Sequence, residues 1–585
     1  SREGRSLDFV NVSLGFQGLI EQYDEQDLRA GLGEAIAALA QSGASDKVVF
    51  VGAAGNAHGA MCDAADFPDH PDLCVNGRIV ARSVEVIWGL PARIEELRGH
   101  MIAVVAVSPD PDRDGDHEIA PFSNRCGIAA EWCLAAPGEG IRTAYFGPDP
   151  ADDAPGVRGT FTTRGTSFAA PMVTGGLVVL KDYFRDQLSN PALVQRLLAT
   201  TDKSGIYADR DTYGQGLMDL AAATSPAGVP RIVDGDRTDG TGVELVRTRL
   251  SLGGALGDGP TRSFAGREIA AFDDLGAPFW FSLGSLSGAA SGPSVAARLD
   301  EYAAPVHASE SLGAPPGAAF APAGRPAHDR AHGHAYGHVS ADWWRLGILP
   351  APAGPERSHL GLAGRALAVA LTDDRAWSAT VFATAGEVEP APASGASFSW
   401  RPGGGPLALH SGWMAEGDSL LGSTAGGAFG TLAAEAFFAG IHAASERGGW
   451  RVSAGAEVGA VAPTARGGLI DDVSALTTST FALRADRPLA GHGRLHLSVS
   501  QPLRVERGRA SLAVPVGRTR TGEVLRDQVR ADLAPSGRQI DIEARWERPL
   551  AGGALRLGAV VTREPGHRAA ADPELTLLTG WRRTF

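Results

Sequence analysis

The sequence predicts two architectures in one chain: an α/β region with a parallel sheet and helices on both faces over residues 1–225, and an antiparallel transmembrane β-barrel over 331–585. Three observations lead there. Short apolar runs alternate with helical stripes in the first part, which is how a parallel sheet covered on both sides reads. After about residue 340 the apolar pattern changes to period two. Between them, within a junction spanning 226–330, the helix signals fade, and residues 304–338 are rich in Ala, Pro, Gly and His without periodicity, the composition of a linker. A chain of 585 residues is long enough for two or three domains.

The elements follow in order. Phe9–Val12 reads as a strand, and 25–41 as a helix with Leu28, Leu32, Ile36 and Leu39 on one stripe. The apolar run Val48-Val49-Phe50-Val51 is a strand that ends in Gly52-Ala53-Ala54-Gly55-Asn56, and 101–107 is another. A helix is expected from Ser167 to Phe184, and Asn190-Pro191 caps and opens the next, through Ala199. In the last part Ile540, Ile542 and Trp546 alternate with Asp541, Glu543 and Arg545, as do Leu495, Leu497 and Val499 with polar neighbours. A soluble sandwich and a membrane barrel both produce such alternation. The ending, with Leu575, Leu577, Trp581 and the terminal Phe585 at alternate positions, favours the barrel, although Arg583 falls where an apolar residue is expected. In a barrel the isoleucines and Trp546 face lipid and the charged residues face the lumen.

Composition narrows the partners. A net charge of -14 without basic runs excludes nucleic acid. No apolar run reaches the ~18 residues of a spanning helix. The four cysteines lie in one window and lack a CxxC pair, which favours disulfides in an oxidising compartment over zinc. Local pairing, Cys62 with Cys74 and Cys126 with Cys133, closes two short loops. Asp110, Asp112, Asp114 and Gly115 imitate a calcium loop, but its twelfth position is Pro121 where a glutamate is required. The histidines at 307, 328, 332, 334 and 338 lie in the linker, which offers no preorganised geometry. No metal or cofactor is expected. The start, Ser1-Arg2-Glu3-Gly4 leading straight into a strand, reads as a piece of a longer protein.

The sharpest chemical signal is Gly165-Thr166-Ser167-Phe168-Ala169-Ala170-Pro171. A serine in the first turn of a helix, after a glycine, has an exposed Oγ and the positive end of the helix dipole beside it. The bland reading of Gly-Thr-Ser is a helix cap. The whole string resembles the serine motif of the subtilisin-like proteases, the subtilases. Two segments in the same order agree with it: Asn11-Val12-Ser13-Leu14-Gly15 and Gly52-Ala53-Ala54-Gly55-Asn56. The resemblance implies Ser167 as nucleophile and Asn56 as oxyanion donor. It also implies a substrate cleft bordered by Ser13, Leu14, Gly15, Ala53, Ala54 and Gly55. The family order places Asp and His before the Ser-Leu-Gly strand, where this sequence has no room for them. His58, His100 and His117 lie on the wrong side of that motif, so the chain by itself is expected to be inactive.

Further segments resemble the subtilases of Gram-negative autotransporters: Phe122-Ser123-Asn124-Arg125-Cys126, Trp132 to Gly138, Tyr213 to Leu220 and Phe272 to Trp280. That resemblance implies a protease that acts on proteins or peptides, displayed at the cell surface or released. It would be joined to a monomeric outer-membrane barrel, in contact with lipid and inserted by the outer-membrane assembly machinery. Two rivals remain open: a non-catalytic displayed passenger, and a soluble secreted protease with a β-sandwich appendage.

Overall fold

The computed structural model describes residues 7–288 and 339–582, apart from 16–17, 42–47, 64, 66, 110–116, 149–155, 342–343, 350–357, 363–365, 374–376, 385–391, 490–492 and 551–552. The acidic run at 110–115, the linker histidines and Phe585 lie outside the described residues.

Four parallel strands, β1 (Phe9–Val12), β2 (Val49–Ala53), β3 (Met101–Val107) and β4 (Cys133–Pro137), stand in that spatial order. All seven residues of β3 are buried, and its side chains divide by parity, as a pleated strand requires. Ile102, Val104 and Ala106 pack with Ala169, Val173, Leu177 and Leu180 of the helix Thr166–Tyr183. Ala103, Val105 and Val107 pack on the other face with Leu28 and Ile36 of α1 (Glu25–Gln41) and with Trp88 of the short helix α2 (Val86–Gly89). The helix Thr166–Tyr183 is α3. This is the three-layer arrangement that the apolar runs predict.

Helix α4 (Asn190–Ala199) differs from expectation at its cap. Ser189, not Asn190, caps it, accepting from the Ala192 N–H at 3.4 Å. Asn190 is buried and turned elsewhere: its Nδ2 donates to Asp8 at 3.3 Å, and its Oδ1 accepts from Lys181 at 3.4 Å. Cys62 is bonded to Cys74 and Cys126 to Cys133, the pairing that locality predicts.

Part of the 226–330 junction is regular. Strands β5 (Arg231–Ile232), β6 (Glu268–Phe272) and β7 (Pro278–Ser282) pair antiparallel. Asp273, at the β6–β7 turn, forms a fully buried ion pair with Arg196 of α4 at 2.7 Å, which ties the junction to the α/β region. The junction also shares one apolar core with a hairpin, Arg509–Arg518 and Val524–Asp532, that leaves the C-terminal sheet. Ile232, Leu250, Phe264 and Ile269 meet Leu512, Val514, Val529 and Ala531 there.

The C-terminal part is an antiparallel sheet of thirteen strands among the described residues, and its first and last strands are not paired among them. Ile542 is 52% exposed, whereas Asp541, Glu543 and Arg545 are at most 8% exposed. Ile540 and Trp546 keep the parity of Ile542 and are half-buried. Val381, Phe437, Ile441, Val458, Leu577 and Trp581 are exposed as well. Apolar side chains on the outside with ion pairs such as Glu543–Arg545 (2.6 Å) inside are the inverse of a soluble sandwich. No helix of the described residues is long and apolar enough to cross a membrane, which leaves strands out of account.

Candidate active site

The site assembles at the C-terminal ends of β1 and β2 and the N-terminus of α3, the crevice where parallel sheets place their ligands. Gly165 precedes the helix with φ 147°, a conformation that L side chains rarely adopt, and so turns the chain sharply into α3. Thr166 is buried and Ser167 half-buried, so the hydroxyl of Ser167 is reachable at the helix start.

Asn56 is locked by Thr166. Its Oδ1 accepts from the Thr166 backbone N–H at 2.9 Å and from Thr166 Oγ1 at 3.0 Å, and Thr166 Oγ1 in turn accepts from the Gly55 N–H at 3.2 Å. A backbone N–H can only donate, so the Asn56 atom facing it is the oxygen, and the amide Nδ2 is turned to the open side. Asn56 is exposed there. From the other strand, Ser13 Oγ donates to the Ser167 carbonyl at 2.9 Å. The structure thus brings Ser13, Gly55, Asn56, Thr166 and Ser167 together, and the Ser13–Leu14–Gly15 and Ala53–Ala54–Gly55 strand ends flank the crevice.

Asn124, buried within the Phe-Ser-Asn motif, holds the loop that carries Asn56. Its Nδ2 donates to Ala54 O at 3.1 Å, its Oδ1 accepts from the Ala57 N–H at 2.9 Å, and its own N–H donates to Gly55 O at 3.0 Å. The motif flagged this residue without revealing that role. Glu85 was missed altogether. It is half-buried and lies against Gly15 and Gly55, and burial pushes its carboxyl up to about 7. Nothing in Ser83-Val84-Glu85-Val86 marks it, because only the fold carries it to the crevice.

The histidines of this region are engaged elsewhere. His58 lies beside Arg125 and bonds the Ala81 backbone, and its ring is held below the ordinary range, first by burial and then by that guanidinium. His117 Nδ1 is paired with Ser108 O at 3.0 Å, and His100 is buried immediately before β3. No hydrogen bond joins a histidine to Ser167 among the described residues. Helix α3 also has an uncovered side: Met172, Val178, Val179 and Tyr183 are 42–53% exposed, and among the described residues β1 has a partner on one edge only.

Residues 3–216 match the subtilase family. Over 141 residues the chain is 34% identical to serotype-specific antigen 1 of Mannheimia haemolytica, a match covering 23% of this chain and 14% of that protein. Over 110 residues it is 36% identical to the Neisserial autotransporter lipoprotein NalP of Neisseria meningitidis serogroup B, covering 18% of this chain and 9% of that protein. The matched stretches are therefore a small part of these relatives. Among solved structures, the self-cleaved protease domain of PatA is similar at 21% identity, covering 37% of this chain and 60% of that one with a TM-score of 0.22. The epidermin leader peptide processing serine protease of Staphylococcus aureus follows at 18% identity, with 37% and 50% covered and a TM-score of 0.23.

Proposed function

Residues 3–216 form a subtilase domain, and on that premise we propose that this chain belongs to a surface-displayed or secreted serine endopeptidase carried by an outer-membrane barrel. The observation that carries the proposal is the Thr166 lock on Asn56. It aims a fixed amide N–H at the space beside Ser167 before any substrate arrives.

In this reading Ser167 Oγ attacks the peptide carbonyl as its proton passes to an imidazole. The carbonyl oxygen, now an oxyanion, accepts from Asn56 Nδ2 and from the Ser167 N–H, one of the helix N–H groups without an intrahelical acceptor. The C–N bond breaks as the amine takes the proton, and water then hydrolyses the acyl-enzyme. The imidazole and its carboxylate partner come from protein outside these 585 residues. The apolar side of α3 and the edge of β1 that has no partner among the described residues support this, because a helix apolar all round is a buried helix. The same segment would cover both surfaces.

Outward apolar and inward charged side chains support the C-terminal sheet as a membrane barrel, with the protease domain on the cell surface or released from it. Its relative NalP is named an autotransporter lipoprotein.

The test has two parts. Residues 1–585 alone should cleave a casein-derived peptide mixture no faster than Ser167→Ala, whereas the protein carrying its upstream coding sequence should cleave it in a Ser167-dependent way. In the latter, Asn56→Ala should lower kcat by about 10²–10³, the loss known for such a donor in subtilisin itself. Ser167-dependent cleavage by 1–585 would show that a histidine within the chain serves as base. For the barrel, residues 331–585 should fractionate with membranes and show heat-modifiable migration.

A further inference from the structure

One side chain at the crevice has no part in acyl transfer. Glu85 stands just before α2, and its backbone N–H donates to Ala54 O at 2.9 Å. That bond threads its side chain between the ends of β1 and β2. A Cβ on Gly15 would collide with Glu85 Oε2, and a Cβ on Gly55 would come within 2.7 Å of Oε1. The carboxylate therefore occupies the room that the missing side chains of these glycines leave, which at Gly55 it shares with Asn124. The β1 end is itself pinned, since Trp88 Nε1 donates to Leu14 O at 3.3 Å. Ser13, two residues before Gly15, reaches the Ser167 carbonyl, and Gly55 adjoins Asn56. The carboxylate thus stands in the wall of the slot that opens beside the nucleophile. Among the described residues no arginine, lysine or histidine forms an ion pair with it, and burial alone accounts for the displacement of its titration.

We propose that Glu85 lines the pocket for the substrate side chain preceding the scissile bond, and that it selects lysine or arginine there. This rests on the reading of Ser167 as nucleophile. With the scissile carbonyl between Ser167 and Asn56, the adjoining side chain is directed toward the two strand ends, where it meets the Glu85 carboxylate. Burial with no cation beside it holds this carboxyl partly protonated near neutral pH, and a basic side chain supplies the cation that keeps it ionised together with a charge-assisted hydrogen bond. Acidic side chains are repelled there, so the same group selects in both directions.

Two acetylated tetrapeptides, differing only in a C-terminal arginine or its neutral isostere citrulline, separate charge from shape. Titrated by calorimetry into the 585-residue chain, the arginine peptide should bind roughly 10-fold tighter or more. Glu85→Gln should abolish the difference, and Glu85→Asp should keep part of it. Equal binding of the two peptides, no binding by either, or a preference that survives in Glu85→Gln overturns the proposal. Failure of the peptidase reading is a separate result: arginine is preferred in the titration, yet the protein with its upstream sequence shows no Ser167-dependent cleavage of any peptide.

Discussion

At the level of single residues, the site depends on short polar contacts that only a few side chains make. The strings that carry Ser167 and Asn56 were legible in the sequence because each is continuous, and the structure brings the two strings together through Thr166. Glu85 was not legible. Seventy positions separate it from Gly15, and three-dimensional proximity alone brings it there. Its burial has a consequence for stability with a definite sign. Its carboxyl titrates near 7 in the folded protein, up from the ordinary 4.5, so between those values the folded state holds a proton that the unfolded state releases. Stability therefore falls as pH rises through this window and stays lower above it. The midpoint of thermal unfolding of the protease region should drop between about pH 5 and pH 8 by less in Glu85→Gln than in the wild type. Identical pH profiles of the two proteins would contradict the burial of this group.

Among elements, the parity of β3 was readable as an unbroken apolar run, and both of its faces are covered as such a run demands. The cap of α4 was misread by one position, because Asn190 is a good capping residue in general but is here drawn into a cluster with Asp8 and Lys181. The contact between α4 and the β6–β7 hairpin was invisible in the sequence. Arg196 places one nitrogen on Asp273, donates to Ala223 O at 2.6 Å, and lies over the rings of Phe184 and Phe279. Asp273 also accepts from the N–H groups of Ala227, Leu275 and Ala277. Asp273→Ala would leave a buried guanidinium without its counter-charge and should cost about 3–5 kcal/mol in urea unfolding followed by tryptophan fluorescence. Adding Arg196→Met should restore part of that loss. A single-variant change below about 0.5 kcal/mol, the size of an ordinary surface substitution, would show that the pair is not structural.

For the whole molecule, alternation could not tell which strands belong to the large sheet. Leu512 and Val514 alternate with Ser511 and Ala513 as lipid-facing strands do, yet their hairpin leaves the sheet and buries those residues against the junction. The hairpin also binds beyond that core. The Arg518 N–H donates to Gln187 at 2.8 Å, its guanidinium to Gly276 O at 2.7 Å, and Arg520 pairs with Asp186.

That shared core separates attachment from covalent continuity. Residues 289–338 connect the two regions along the backbone, but the apolar side chains of 232–283 are already seated on 512–531. Nicking the connection would convert an intramolecular contact into a two-piece complex without removing any of its burial. With a specific protease site placed at 304–338, and with the C-terminal sheet acting as the proposed membrane barrel, the cut N-terminal fragment should remain in the membrane pellet. It should appear in the supernatant once Leu512→Asp and Val514→Asp put charges into the core. A fragment that leaves immediately on cutting the wild-type core would show that the backbone alone had held it. If it stays, shedding of the protease is set by how slowly this core opens, a rate that urea raises and that a nick in the backbone leaves unchanged.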